Sequence, residues 1–270
     1  MQINNIGILS PGDMGSAVGK VLIDNGYKVF TNLDGRSERT KKLSEKAGII
    51  SLPSLSRILS DCEIVLSILV PSEALGLAKR ISKTNSSNNL PLFVDCNAVS
   101  PTTKKNISKI MIGSGMEFID GGIVGPPPRD GNIPRLYVSG PKSSDLLQLN
   151  NKGIEVVVLG KEIGQASRLK MLHLQSKWIM ESLLNIDGLL VELNYNTKGD
   201  QPFGVFISID KKKIGISNED LLIKLKNNTP YIWTKIPEGE DRISIHVFGL
   251  NYGEADIVGK SIKKIISNPN

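Results

Sequence analysis

Along the first 160 residues, short apolar runs alternate with stretches whose apolar positions recur every three to four residues. The runs at 6–9, 27–32, 63–70, 92–97, 117–120, 135–140 and 155–160 read as strands. The run at 63–70 is almost unbroken, the pattern of a parallel strand buried on both faces. Between the runs, 14–22, 38–47, 54–60 and 73–82 carry helical spacing. Ser72 suits the cap of the last of these, residues 84–89 read as a polar loop, and Ser100-Pro101 opens a further helix with Pro at its first position. Strands alternating with helices predict an α/β domain, a doubly wound parallel sheet of Rossmann type running through residue 160 with right-handed crossovers.

Beyond Gly160 the pattern changes. Ile163, Ala166, Leu169, Leu172, Trp178, Ile179 and Leu183 fit one helix of roughly six turns. Strands at 189–193 and 203–209, a helix at 218–226, strands at 231–235 and 242–247 and a helix at 255–266 follow. Adjacent strands without crossovers predict an antiparallel sheet in a small α+β domain. The division expected is therefore 1–160 for the Rossmann domain, 161–186 for a bridging helix and 187–270 for the α+β domain.

Composition narrows the classes. Of 270 residues, 40% are hydrophobic and 22% charged, ordinary values for a globular chain. No apolar run is long enough to span a membrane, and no basic segment precedes an apolar core at the N-terminus, so a cytoplasmic location is expected and no membrane partner. Cys62 and Cys96 sit in apolar surroundings and read as buried thiols of a reducing compartment. With His173 and His246 the only histidines, no metal site is expected. The net charge of +6 is spread over scattered lysines, aromatics are 5%, and Lys211-Lys212-Lys213 reads as a solvated turn. Anionic small molecules are thus favoured over nucleic acid.

The chemistry concentrates at the first turn. Ser10-Pro11-Gly12-Asp13-Met14-Gly15 follows a strand and opens a helix. Such a turn aims backbone N–H groups and a helix dipole at a phosphate, with Gly12 allowing close approach and Gly15 close helix–strand packing. The usual dinucleotide fingerprint has glycine at three positions, and here the first is Ser10. At the end of the second strand, Asp34 suits a free ribose 2′-OH while Arg36, in Gly35-Arg36-Ser37, suits a 2′-phosphate. NADP is preferred and NAD stays open. Ligands of such sheets lie beyond the carboxyl ends of the strands, where this turn, residues 70–72, Asn97 and residues 121–125 should converge. Ser10, Pro11, Gly12, Asp13, Met14, Gly15, Arg36, Ser37, Leu69, Val70, Pro71 and Asn97 are the expected cofactor-binding residues.

Six motifs in order carry a family resemblance: Ser10-Pro11-Gly12-Asp13-Met14-Gly15, Gly35-Arg36-Ser37, Ser67-Ile68-Leu69-Val70-Pro71-Ser72, Val94-Asp95-Cys96-Asn97 with Ser100-Pro101, Asp120-Gly121-Gly122, and Gly164-Gln165-Ala166-Ser167-Arg168-Leu169-Lys170-Met171. Through about residue 172 the chain resembles the β-hydroxyacid dehydrogenase superfamily, which includes 6-phosphogluconate dehydrogenase. The resemblance implies an NAD(P)-dependent oxidoreductase acting on a small hydroxy acid, with Lys170 as the catalytic lysine and Gly121, Gly122 and Ile123 at the substrate. It also allows a homodimer. Val124 stands where the superfamily often has a hydroxyl, Leu174 where it has Asn, and the helical domain that usually follows the lysine is missing. From about residue 177 the chain instead resembles the small C-terminal domain of fold-type I pyridoxal-phosphate proteins of the selenocysteine-synthase-like group, on Leu189-Leu190-Val191-Glu192, Gln201-Pro202 and residues 250–258. The join falls near residues 172–178, and a natural fusion and an accidental joining of two gene fragments both fit it.

Three readings follow from the sequence. One is an oxidoreductase with Lys170 as general acid and base; the second is an NADP-binding module with little or no turnover. The third is a fragment of a pyridoxal-phosphate-type protein fused to a Rossmann domain.

Overall fold

The computed structural model describes residues 2–84, 90–195, 202–251 and 253–269. Residues 85–89 of the expected polar loop, Gln201 and Tyr252 lie outside the described residues. The chain divides into two compact units, Met1–Lys170 and Met171–Asn270.

The first unit contains β1 (Asn5–Leu9), α1 (Asp13–Asp24), β2 (Lys28–Thr31), α2 (Glu38–Ala47), β3 (Ile50–Ser51), α3 (Leu55–Asp61), β4 (Ile64–Ser67), α4 (Ala74–Ile81), β5 (Leu92–Asp95), α5 (Pro101–Gly113), β6 (Phe118–Val124), β7 (Arg135–Ser139) and β8 (Glu155–Gly160). It ends within α6 (Gln165–Ser182). The eight strands lie in the order β3-β2-β1-β4-β5-β6-β7-β8. The order reverses between β1 and β4, and that switch point opens the crevice where doubly wound sheets take ligands.

The unbroken apolar runs split by alternation into two cores. Ile6, Ile8, Ile64, Leu66, Leu92 and Val94 face a layer that includes Val18 and Leu22 of α1. Leu9, Val65 and Phe93 face the opposite layer, with Ile58 of α3, Leu77 of α4 and Ile107 of α5. Both faces of the sheet are therefore dry, as parallel sheets require.

One pairing differs from the expected parallel sheet. β7 runs antiparallel to β6, with Val124 opposite Arg135, and β8 then runs parallel to β7. The connection at 125–134 is too short to carry a crossover, which takes a dozen or more residues. The structure also has a two-residue strand β3 and a 3₁₀ segment, Ser143–Leu149, that the pattern did not announce. Ser100 caps α5 at the start expected for it; Ser37, expected at the cofactor, caps α2, and Ser54, expected inside its helix, caps α3. Ser72 caps nothing: it sits inside a 3₁₀ turn, Pro71–Glu73, whose backbone leads directly into α4.

The second unit takes the rest of α6 and then β9 (Leu189–Tyr195), β10 (Pro202–Ile209), α7 (Lys211–Ile214), α8 (Asn218–Lys226), β11 (Ile243–His246) and α9 (Glu254–Ser267). Its sheet is antiparallel in the order β11-β10-β9. A single core joins Ile179 and Leu183 to Val205, Ile207, Leu221, Ile245 and Ile262. The expected strand at 231–235 reduces to one bridge, Lys235 to Ser244. The Ile232 N–H bonds the Leu225 carbonyl at the end of α8 instead of a neighbouring strand. The three consecutive lysines form α7, a helical turn capped by Asp210 and not a bare turn; all three are exposed.

Gly204 sits at a register shift of β10, and a Cβ built there overlaps the backbone carbonyl of Ile245. Gly204→Ala should therefore destabilise the chain by about 1–3 kcal/mol. Urea unfolding checks this, and an unchanged midpoint with an unchanged slope would contradict it.

Candidate functional site

The turn after β1 departs from the usual fingerprint in chemistry while keeping its geometry. Ser10 adopts φ 58°, the left-handed region that favours glycine, and its hydroxyl oxygen is buried without a hydrogen-bond partner. The Gly12 N–H donates to the Ser10 carbonyl at 2.7 Å and closes the turn. Gly12 then occupies the N-cap of α1 with no side chain closing the helix end, and a Cβ there would meet only the Ser10 carbonyl oxygen at 4.0 Å. The amides of the first turn of α1 thus face open space, an arrangement suited to a phosphate. Gly15 packs against Ile8 and Ile68. The Asp13 carboxylate, in the first turn, is paired at 2.6 Å with Arg129 from the connection between β6 and β7.

A cleft of about 450 Å³ opens from this turn. Ser10, Gly12, Asp13, Met14, Gly15, Arg36, Leu69, Val70 and Pro71 of the expected set line it, joined by Thr40, Ile68, Glu73 and Arg80. Arg36 follows a turn in which Gly35 has φ 68° and the Arg36 N–H bonds the Leu33 carbonyl. Among the described residues, neither Arg36 nor Arg80 has an ion-pair partner. Asp34 is not part of the lining; its carboxylate accepts from the Asn32 side chain at 3.1 Å. Pro11 is buried behind the turn, and Ser37 is occupied as the cap of α2. Asn97 lies beneath the lining: its side-chain oxygen accepts the Leu69 N–H at 2.7 Å, and its amide donates to Ser67 at 2.8 Å and to Asp95. Thr40 and Arg80 were missed in the sequence because neither belongs to a motif; both reach the cleft from helices that flank it.

At the same carboxyl edge a buried ionic cluster joins three elements. Lys104 on α5 is fully buried. Its ammonium donates to the Asp95 carbonyl at 2.6 Å and lies 3.3 and 3.4 Å from the carbonyls of Asn97 and Gly121. The carboxylates of Asp95 and Asp120 are 3.4 and 3.5 Å away. The other Asp120 oxygen accepts from the N–H groups of Gly164 and Ser167 and from the Ser167 hydroxyl, which caps the start of α6. Lys104 was not singled out in the sequence, since a lysine in an amphipathic helix reads as a solvated one.

Lys170 comes out of that capped helix start. Its ammonium donates to the Cys96 carbonyl at 2.9 Å. Burial lowers its pKa to about 8, with Lys104 contributing in the same direction against the pull of Asp95 and Asp120. Burial pushes the Cys96 thiol up to about 12, so it stays protonated and inert. Cys62, also buried, behaves alike. A Cβ on Gly122 would stand 3.1 Å from both the Lys170 Cβ and the Ala166 carbonyl oxygen, so the bare backbone of β6 admits α6 at this point. Gly121 is equally crowded, against Cys96, Val94 and the Asp95 carbonyl, and Ile123 turns into the core. Among the described residues no group of three or more His, Cys, Asp and Glu could hold a metal, and no helix is long and apolar enough to cross a membrane.

A doubly wound sheet with an open glycine turn at its switch point defines a dinucleotide-binding protein. Residues 5–145 match the NAD binding domain of 6-phosphogluconate dehydrogenase, and the chain belongs to that family. It is 32% identical over 182 residues to an uncharacterized 28.5 kDa protein of Methanothermus fervidus, a match covering 67% of this chain and 68% of that one. Among solved structures, a conserved protein of unknown function described as similar to 3-hydroxyacid dehydrogenases is 30% identical, with a TM-score of 0.57 over 66% of each chain. A reductive aminase from Aspergillus terreus, solved with NADPH4, cyclohexanone and allyl amine, shares the fold at 14% identity. Its TM-score is 0.58, over 67% of this chain and 63% of the aminase. In both solved structures the match spans less than two thirds of that protein's length.

The depressed pKa of Lys170 has a consequence for stability. Folded Lys170 loses its proton near pH 8, whereas in the unfolded chain it holds the proton to the ordinary lysine value of about 10.5. Between these limits the unfolded state binds more protons, so this group's contribution to stability rises with pH and is least below pH 8. The difference in unfolding free energy between wild type and Lys170→Met should therefore grow in favour of wild type from about pH 8 to about 10.5. Parallel curves for the two proteins would contradict the burial of this charge.

Proposed function

We propose that this protein is an NADP-dependent oxidoreductase acting on a small hydroxy acid, with Lys170 as its general acid and base. The observation that carries the cofactor choice is the lining of the cleft: Arg36 and Thr40 are in it and Asp34 is not. An unpaired guanidinium suits a ribose 2′-phosphate, whereas a carboxylate facing the ribose would favour the free hydroxyl. The orphaned Ser10 hydroxyl and the uncapped start of α1 fit the pyrophosphate.

Bound NADP supplies the hydride acceptor, the part of the chemistry no side chain provides. The chain's own part is to bind, orient and move a proton. Met14, Leu69, Val70 and Pro71 offer apolar walls in the cleft, and Asn97 holds the Leu69 backbone in place. Lys170, titrating near pH 8, can take the proton of a substrate hydroxyl as neutral amine and return it as ammonium close to neutrality. Gly122 leaves bare backbone beside it, whereas Gly121 faces Cys96 and Val94. The binding-module reading shares every feature except turnover, and Lys170 favours the enzyme: burial near the ordinary operating pH is what a proton-transfer lysine needs.

Two measurements test this reading. A charge-assisted contact to the 2′-phosphate is worth about 1.5–3 kcal/mol, so Arg36→Ala should weaken NADPH roughly 10- to 150-fold and leave NADH nearly unchanged. Equal losses for both cofactors in fluorescence titrations would remove Arg36 from 2′-phosphate recognition. In a screen of hydroxy acids for NADPH production, Lys170→Ala should lower turnover by about 10²- to 10⁴-fold while cofactor affinity holds. Binding without turnover in the wild type would favour the module.

A further inference from the structure

The geometry points to Lys104 as a positioning residue for the Lys170 site: caged at the carboxyl edge of the sheet, its ammonium fixes the backbone carbonyl on which Lys170 rests. The hydrogen bonds of Lys104 go to backbone, while Asp95 Oδ2 and Asp120 Oδ1 face it at ion-pair distance without a hydrogen bond. Three carbonyls and two carboxylates surround one ammonium at 2.6 to 3.5 Å, and no part of the side chain reaches solvent. Two of those carbonyls, from Asp95 and Asn97, flank Cys96 on either side, and Cys96 supplies the oxygen that Lys170 touches. The third, from Gly121, belongs to the bare strand against which Lys170 packs at Gly122. The peptide that carries the Cys96 carbonyl lies between those two contacts, and its Asn97 N–H donates to the Asp95 carboxylate at 3.0 Å. Lys104 thus sets the position of the acceptor without touching anything in the cleft.

The same cage sets the charge that Lys170 feels. The titratable groups facing Lys170 are Cys96 and Asp95 at the end of β5, Asp120 on β6 and Lys104 on α5. Cys96 is protonated. The balance is therefore between two anions, which favour the Lys170 ammonium, and one cation, which opposes it. Removing Lys104 tips that balance towards the ammonium; removing the Asp95 charge tips it the other way.

This inference rests on the reading of Lys170 as the proton-transfer group, and its test needs neither substrate nor cofactor. The full chain labelled with [¹³C]lysine is titrated from pH 6 to 11, and the Lys170 Cε signal is assigned by its loss in Lys170→Met. In Lys104→Met the Lys170 midpoint should rise by a unit or more, taking the neutral fraction at pH 8 from about one half to about one tenth or less. In Asp95→Asn, which keeps an acceptor oxygen, the midpoint should fall below that of the wild type. Loosened packing alone would drive both variants upward, towards an ordinary lysine. An upward shift in both, or no shift in either, overturns the inference. Should Lys104→Met fail to fold, Asp95→Asn decides by itself: a fall supports the coupling, and an unchanged or raised midpoint refutes it. Undiminished turnover in Lys170→Ala would instead overturn the parent reading, so the two failures are distinct.

Discussion

A lysine ammonium with no exposed surface is costly unless its charge and all its donors are satisfied. Lys104 meets that condition by recruiting backbone as well as carboxylates, and most of the geometry at the carboxyl edge depends on it. The residues it joins lie far apart in the sequence, at 95–97, 104 and 120–121. Asp120 extends the connection with its second oxygen, which holds the start of α6 through two N–H groups and one hydroxyl. Breaking one partner leaves an uncompensated charge in a dry interior, which is worse than never having buried the pair. The cluster therefore fixes a single arrangement of β5, α5, β6 and α6, and with it the place of Lys170.

The other side of the cleft is held by backbone conformation. Ser10 in the left-handed region, the N–H to carbonyl contact from Gly12, and the bare N-cap of α1 shape the turn without a charged side chain at their centre. Asn97 links the two sides: it accepts the Leu69 N–H beneath the cleft wall and donates to Asp95, a member of the ionic cluster. The cleft wall and the ionic cluster beside Lys170 are thus tied through Asn97 along one sheet edge.

Much of this was legible in the sequence, and the limits have physical causes. The strand runs declared themselves because parallel strands are apolar on both faces, and Ile6, Leu9, Val65 and Phe93 need no further signal. The glycine turn was legible through Gly12 and Gly15, while the left-handed Ser10 was not, since propensity assigns that conformation to glycine. Lys104 was invisible because its partners are set by sheet order and not by spacing along α5. The strand expected at 231–235 failed for a related reason: alternation marks an extended chain, yet the Ile232 N–H found its partner on a helix. Pairing is decided by what lies alongside, which a local pattern does not record.

The antiparallel turn of β7 carries one more step. Because β6 ends at the carboxyl edge and β7 returns from it, residues 125–134 stay on the edge that also holds the glycine turn. A crossover would have carried the chain away to the opposite edge. The ion pair between Arg129 and Asp13 records the result. Both side chains are about half exposed, so the pair contributes little stability, about 0–1 kcal/mol. Its weight is electrostatic: Asp13 places a carboxylate in the first turn of α1, where a phosphate would otherwise have the helix dipole to itself. Arg129 neutralises that carboxylate from outside the helix. The connection that turns the chain back from β6 into β7 thereby supplies the charge that keeps the glycine turn receptive to an anion.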